Sequence, residues 1–218
     1  MAGNGQSELL EAITGLRPWS EGTIALNGSE LSREHSDPRI MRALQVAHVP
    51  EDRHRRGMVM GFEACENSIL GYESDRVNGA GPLLSRSSII SQTEGKMETY
   101  DVRPRNARLK SSLFSGGNQQ KLVLAREFDR DPDLLVIGQP TRGVDIGAIE
   151  FIHKKIIALR DAGKAILLVS VELDEIRSLS DRVLVMFAGR IMGECAPGTE
   201  EKQIGLLMAG LPLSAEAA

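Results

Sequence analysis

The chain has 218 residues, enough to bury the core of one large domain or two small ones. With 26 Lys and Arg against 30 Asp and Glu, its net charge of −4 argues against both a DNA-binding domain and a disordered acidic tail. Aromatic residues make up 4%, which leaves little with which to stack the bases of a single strand, so no nucleic-acid partner is expected.

Gln6 to Thr14 is predicted to be a helix, with Leu9, Leu10 and Ile13 near helical spacing and Gly15 as its stop. Thr23 to Leu26 reads as a strand that enters a tight turn at Asn27-Gly28. Val46 to Val49 is a short apolar strand closed by Pro50. From Glu51 to about Lys110 strong strand patterns vanish, and a loop around Asn78-Gly79-Ala80-Gly81-Pro82 interrupts the run, which suggests an inserted helical subdomain. Leu122 to Phe128 then reads as a helix and Leu134 to Ile137 as a strand buried on both faces. Ile149 to Leu159 is a helix, Ala165 to Ser170 a strand, Glu172 to Leu179 a helix and Val183 to Phe187 a strand. This alternation predicts an α/β fold with a parallel central sheet. Residues 1–50 are assigned to the N-terminal part of the core, 51–112 to the helical subdomain, 113–210 to the rest of the α/β core, and 211–218 to a frayed tail.

Two cysteines, Cys65 and Cys195, lie far apart without metal-ligand spacing, and the expected compartment is reducing and cytoplasmic. No apolar run approaches membrane-span length and the start lacks the basic and apolar segments of a signal peptide, so contact with a membrane is expected only through partner subunits.

Ser115-Gly116-Gly117-Asn118-Gln119-Gln120 places a hydroxyl, two glycines and amides at the start of a helical run. That order presents bare backbone N–H groups and a positive dipole end to an anion. The hexapeptide resembles the signature of ATP-binding cassette (ABC) proteins, in the form typical of sugar and nucleoside importers. The resemblance runs from Gly3 to about Gly210 and implies a P-loop NTPase-like cassette with ATP and Mg²⁺ as cofactors. It also implies that Ser115, Gly116, Gly117, Asn118 and Gln119 grip the γ-phosphate of a nucleotide held by a second cassette. Arg142-Gly143-Val144-Asp145-Ile146-Gly147-Ala148 resembles the D-loop, which implies that Asp145 reaches across the cassette interface. Capping of the next helix is the other, compatible role for Asp145.

Gly3-Asn4-Gly5-Gln6-Ser7-Glu8 opens the first helix and resembles a phosphate loop of the form G-x-x-x-x-G-K-[ST]. Aligned on Gly5, Gln6 stands where Lys reaches the phosphates, and Ser7 supplies the Mg²⁺ hydroxyl. The first glycine of the motif would fall before Met1, and truncation is the expected reason for the abrupt start. Leu134 to Thr141 aligns with the strand that should end in Asp-Glu-Pro-Thr, so Gly138 and Gln139 replace the metal-holding Asp and the water-polarising Glu. Loss of a general base alone costs about 10²–10⁴-fold in rate. Val171 stands at the switch histidine, and His35, His48, His54 and His153 read as surface or loop residues. Glu51 occupies the Q-loop glutamine position, where an acid repels γ-phosphate. Arg53-His54-Arg55-Arg56 reads as a solvated patch, with permease loops or lipid headgroups as its alternative contact.

The combined expectation is the ATP-binding cassette of an importer for simple sugars or nucleosides, resembling the C-terminal cassette of tandem systems paired with basic-membrane-protein lipoproteins. Its signature would complete a partner cassette's site while its own site is deficient in hydrolysis. Permease subunits and an external solute-binding protein are the further partners implied, at the cytoplasmic face of the plasma membrane. A non-transport regulator or DNA-maintenance protein of the same ATPase class, and a truncated remnant without function, are the alternatives.

Overall fold

The computed structural model describes residues 3–33, 37–80 and 83–211; His35, Gly81-Pro82 and the expected frayed residues 212–218 lie outside them. The chain begins with helix α1 (Gln6–Ile13) and a hairpin of β1 (Ala25–Leu26) and β2 (Ser29–Glu30). Asn27 and Gly28 both take positive φ, 50° and 76°, as the predicted tight turn requires. Helix α2 (Pro38–Ala43) follows, then strand β3 (Val46–Val49). Helix α2 is absent from the predicted elements, although Asp37 caps it by accepting from Arg39 and Ile40 N–H, and Pro38 opens it.

After a π-helical turn at Arg53–Gly57 come α3 (Ala64–Asn67), a two-residue hairpin of β4 (Gly79–Ala80) and β5 (Leu83–Leu84), and α4 (Arg86–Thr99). The chain returns to α/β order with α5 (Gly116–Phe128), β6 (Leu134–Gly138), α6 (Ile146–Asp161), β7 (Ala165–Val169) and α7 (Leu173–Leu179). The hairpin of β8 (Val183–Phe187) and β9 (Arg190–Cys195) and helix α8 (Glu201–Met208) complete it.

Strands β3, β6 and β7 form a parallel sheet in that order, with Val49 opposite Ile137 and Gly138 opposite Val169. Central β6 is covered on both faces, which is why its sequence is continuously apolar. Leu135 and Ile137 pack with Leu122, Val123, Ile152 and Ile156 of α5 and α6, while Val136 packs with Leu10 of α1 and Met41 of α2. The expected parallel run does not extend to β8. Among the described residues β7 has no partner on its second edge, and β8 pairs antiparallel with β9. That hairpin buries its apolar face against Ile204 and Leu207 of α8 in a separate cluster.

Candidate functional site

The chemistry-bearing residues fall into two groups at the carboxyl ends of the parallel strands. The first surrounds the start of α1. Gly5 caps this helix in a left-handed conformation, with φ 101° and no side-chain cap. Asn4 is fixed to the β8–β9 turn, its backbone carbonyl accepting from Gly189 N–H and its side-chain oxygen from Ala188 N–H. The Gln6 carbonyl folds back to accept from Asn4 N–H at 2.9 Å, so this side chain closes the loop on itself. Gly3 and Glu8 are exposed, and Glu8 stands in the first turn of α1, where an acid favours the dipole.

The Ser7 hydroxyl donates to the Glu51 carboxylate, joining the α1 start to the segment after β3. Two adjacent oxygen donors suit a hard cation such as Mg²⁺, and Ser7 with Glu51 is the pair here that would hold it. Gly138 contributes no ligand. A Cβ at Gly138 would collide with Glu51 Cγ and stand 3.0 Å from Leu10 Cδ1. The Glu51 side chain thus fills the space an aspartate would use at the end of β6. Gln139 takes φ 49°, is buried, and accepts from Val171 N–H at 3.3 Å through its side-chain oxygen. The Gln139 side chain therefore tethers the backbone at Val171, a residue that is 50% exposed.

The second group is built around the start of α5. Ser115 caps the helix, its hydroxyl oxygen accepting from Asn118 N–H at 3.4 Å and from the Asn118 amide at 2.9 Å. Asn118 accepts in turn from Arg103 N–H at 2.7 Å. Buried Gln119 is the hub: its amide donates to the Ser111 and Phe114 carbonyls, and its oxygen takes His54 Nε2 at 2.8 Å and Arg53 Nε at 3.4 Å. Asp145 caps α6 by accepting from Ala148 N–H at 2.9 Å. Its other oxygen would lie 2.9 Å from a Cβ on Gly117, so the D-loop carboxylate rests directly on the second signature glycine. Leu113 and Ile146, which flank these loops, are 65% and 86% exposed.

Arg53 does not behave as part of a solvated run. Asp52 caps the turn by accepting from His54 and Arg55 N–H, and Arg53 lies half-buried against the signature. Its sequence signal was the Asp52 cap itself, which fixes where the next side chain starts. The histidine reading also needs correction. His48 lies on β3, where burial pulls its imidazole down to about 4. His153 lies on α6, 3.0 Å from buried Glu175. Each faces a glutamate on a neighbouring helix, Glu127 for His48 and Glu175 for His153. Among the described residues no cluster of three or more His, Cys, Asp or Glu suits a metal, and no helix is long and apolar enough to cross a membrane.

Residues 1–142 match the ABC transporter family. The guanosine import ATP-binding protein NupO of Bacillus subtilis is 47% identical over 209 residues, covering 95% of this chain and 41% of the relative. The nucleoside import ATP-binding protein NupA of Lactococcus lactis is 47% identical over 210 residues, with the same coverage. The glucose import ATP-binding protein TsgD13 of Haloferax volcanii is 42% identical over 214 residues, covering 96% of this chain and 38% of the relative. The chain thus spans about two-fifths of the length of the curated relatives it matches. The fold is shared with the dimeric ATP-binding cassette MJ0796 in a post-hydrolysis state bound to ADP and Pi, at TM-score 0.74 and 20% identity over 92% of this chain and 84% of that one. The chain belongs to the ABC transporter family.

Proposed function

We propose that the chain is an ATP-binding cassette of an importer for nucleosides or simple sugars, and that it works as the signature-bearing half of a shared nucleotide site. The names of its relatives favour nucleosides, since the two at 47% identity import guanosine or nucleosides. In this reading Ser115, Gly116, Gly117, Asn118 and Gln119, with Asp145, close over MgATP held by a partner cassette. Permease subunits and an external solute-binding protein complete the assembly, which places the chain at the cytoplasmic face of the membrane. The division at residues 50 and 112 into a core and a helical subdomain belongs to the same proposal.

The observation that carries the reading is the contrast between the two groups of residues. Gly117 lies against the Asp145 carboxylate, which a Cβ would crowd at 2.9 Å, while Gly138 and Gln139 offer no carboxylate at the end of β6. Nucleotide in that pocket would meet the start of α1 at Gly5 and Ser7 but no lysine, the Asn4 N–H being held by Gln6, and Mg²⁺ would meet Ser7 and Glu51. Binding without turnover is the chemistry that fits.

The test compares ATP turnover by this chain alone with turnover by the chain co-expressed with its partner cassette. Turnover is expected only in the pair, and Gly117→Glu in this chain should lower it at least a hundredfold. Brisk turnover by the chain alone, or an unaltered pair carrying Gly117→Glu, would sink the reading.

A further inference from the structure

The signature hexapeptide contains no charged residue, yet the reading above asks it to meet a triphosphate. Positive charge at this face comes from outside the motif. The Arg53 guanidinium donates through Nη1 to the Arg142 carbonyl at 2.8 Å and through Nε to Gln119 at 3.4 Å. Those bonds hold it flat across two glycines from different loops. A Cβ at Gly116 would stand 2.8 Å from Arg53 Nη2, and one at Gly143 would stand 3.6 Å from it. With Nη1 and Nε so engaged, the Nη2 edge is left at Gly116.

The charge meets a carboxylate only at a distance, through Asp52. Arg142 lies close enough for the two guanidiniums to repel, and burial together with that repulsion lowers the pKa of Arg53, against the pull of Asp52. Among the described residues neither Arg53 nor Arg142 forms an ion pair with a carboxylate. Neighbouring Arg56, in contrast, is neutralised by Glu11 at 2.8 Å. Holding two like charges together costs free energy that a bound anion returns. A guanidinium edge with free N–H groups also suits phosphate oxygens better than an ammonium would.

We propose that Arg53, assisted by Arg142, is a phosphate-binding residue of the signature face, and that the anion it takes is the terminal phosphate of the nucleotide held by the partner cassette. This rests on the shared-site reading above and adds to it a side chain lying more than sixty residues before the motif. The two glycines then have a second reason to lack side chains: they let the guanidinium reach the surface that the nucleotide approaches.

The test measures the ATP concentration for half-maximal turnover, and its salt dependence, in the complex of this chain with its partner cassette. Arg53→Gln should raise that concentration about tenfold and flatten the salt dependence, while Arg53→Lys should restore the salt dependence but only part of the affinity, because it keeps the charge and loses the guanidinium geometry. Arg142→Gln should act in the same direction but more weakly. Its side chain makes none of the bonds described, so it also keeps the proposal testable if Arg53→Gln fails to fold. A Gly117→Glu complex separates the two ideas. If it is inactive while Arg53→Gln and Arg142→Gln match wild type, the Arg53 assignment falls and the shared site stands. If Gly117→Glu itself matches wild type, the shared site falls. Inorganic phosphate titrated onto this chain alone is expected to bind weakly; tight binding abolished by Arg53→Gln would mark a separate phosphate site and overturn the assignment to the partner's nucleotide.

Discussion

At the signature face, Gln119 meets four partners, Ser115 and Asp145 cap helices, and Arg53 links two loops through separate nitrogens. At the phosphate-loop pocket, polar groups are instead turned on one another: Gln6 closes on Asn4, Ser7 on Glu51, and Gln139 on Val171. The first region orients its polar groups around a surface left open, and the second uses them to fill its own space. An anion site made of backbone N–H groups therefore depends on the side chains that hold its loops. Around Gly138 the Glu51 side chain takes up the room beside β6 and ties that segment to Ser7 at the start of α1.

The largest expected effect comes from breaking the hub of the first region. Gln119→Leu removes both donors to the Ser111 and Phe114 carbonyls and frees His54 and Arg53. Unmet buried polar groups cost about 1–3 kcal/mol each, so a loss of about 3 kcal/mol is expected in urea denaturation. A loss below about 1 kcal/mol would mean that packing of α5, rather than this network, holds the signature in place.

In the second region the instructive change is an addition. Gly138→Asp puts an acid at the end of β6, but its Cβ meets Glu51 Cγ and Leu10. Overpacking of this kind costs about 1–3 kcal/mol. The melting temperature should fall, and Glu51→Ala in the same chain should recover most of the loss, a coupling that a double-mutant cycle measures. Equal penalties with and without Glu51 would show that the carboxylate does not occupy the vacated space.

A smaller, pH-dependent effect tests the strand that leads into the pocket. His48 on β3 titrates at about 4 in the fold because burial outweighs the attraction of Glu127, against an ordinary value of 6.5. Below pH 6.5 the unfolded chain takes up this proton and the folded chain does not, so stability falls as pH drops toward 4. By pH 5 the loss is about 2 kcal/mol. His48→Gln should reduce the difference between the unfolding free energies at pH 7.5 and pH 5, measured in urea, by that amount. An unchanged difference would place the titration elsewhere.

What the sequence made legible was local. Leu134 to Ile137 declared a two-sided strand because every residue is apolar, and the hydroxyl, glycines and amides of residues 115–120 marked a helix start, which falls at Gly116. The β9 strand was missed because Gly193 and Glu194 break its apolar pattern, and it is held by pairing with β8. The destination of Arg53 was hidden for a similar reason. Its partners lie 66 and 89 residues away, and only the packing of the turn after β3 against α5 brings them together. Glu51 could be read as an acid facing phosphate, but its fit into the space above Gly138 is a property of the tertiary structure.

Ser115→Ala is expected to have the smallest effect on stability and the clearest meaning for function. An N-cap hydroxyl contributes about 0.5–2 kcal/mol. Here the bond to Asn118 N–H is long at 3.4 Å, and α5 buries ten of its thirteen residues. The helix therefore survives on packing, and the loss should be about 0.5–1 kcal/mol in urea. Ser115 is exposed at the open face, so a hydroxyl that only caps should change ATP-dependent pairing with the partner cassette by no more than that. A larger fall in pairing than in stability would mean that the hydroxyl itself touches the partner's nucleotide. Equal falls would mean that the hydroxyl acts only as a cap.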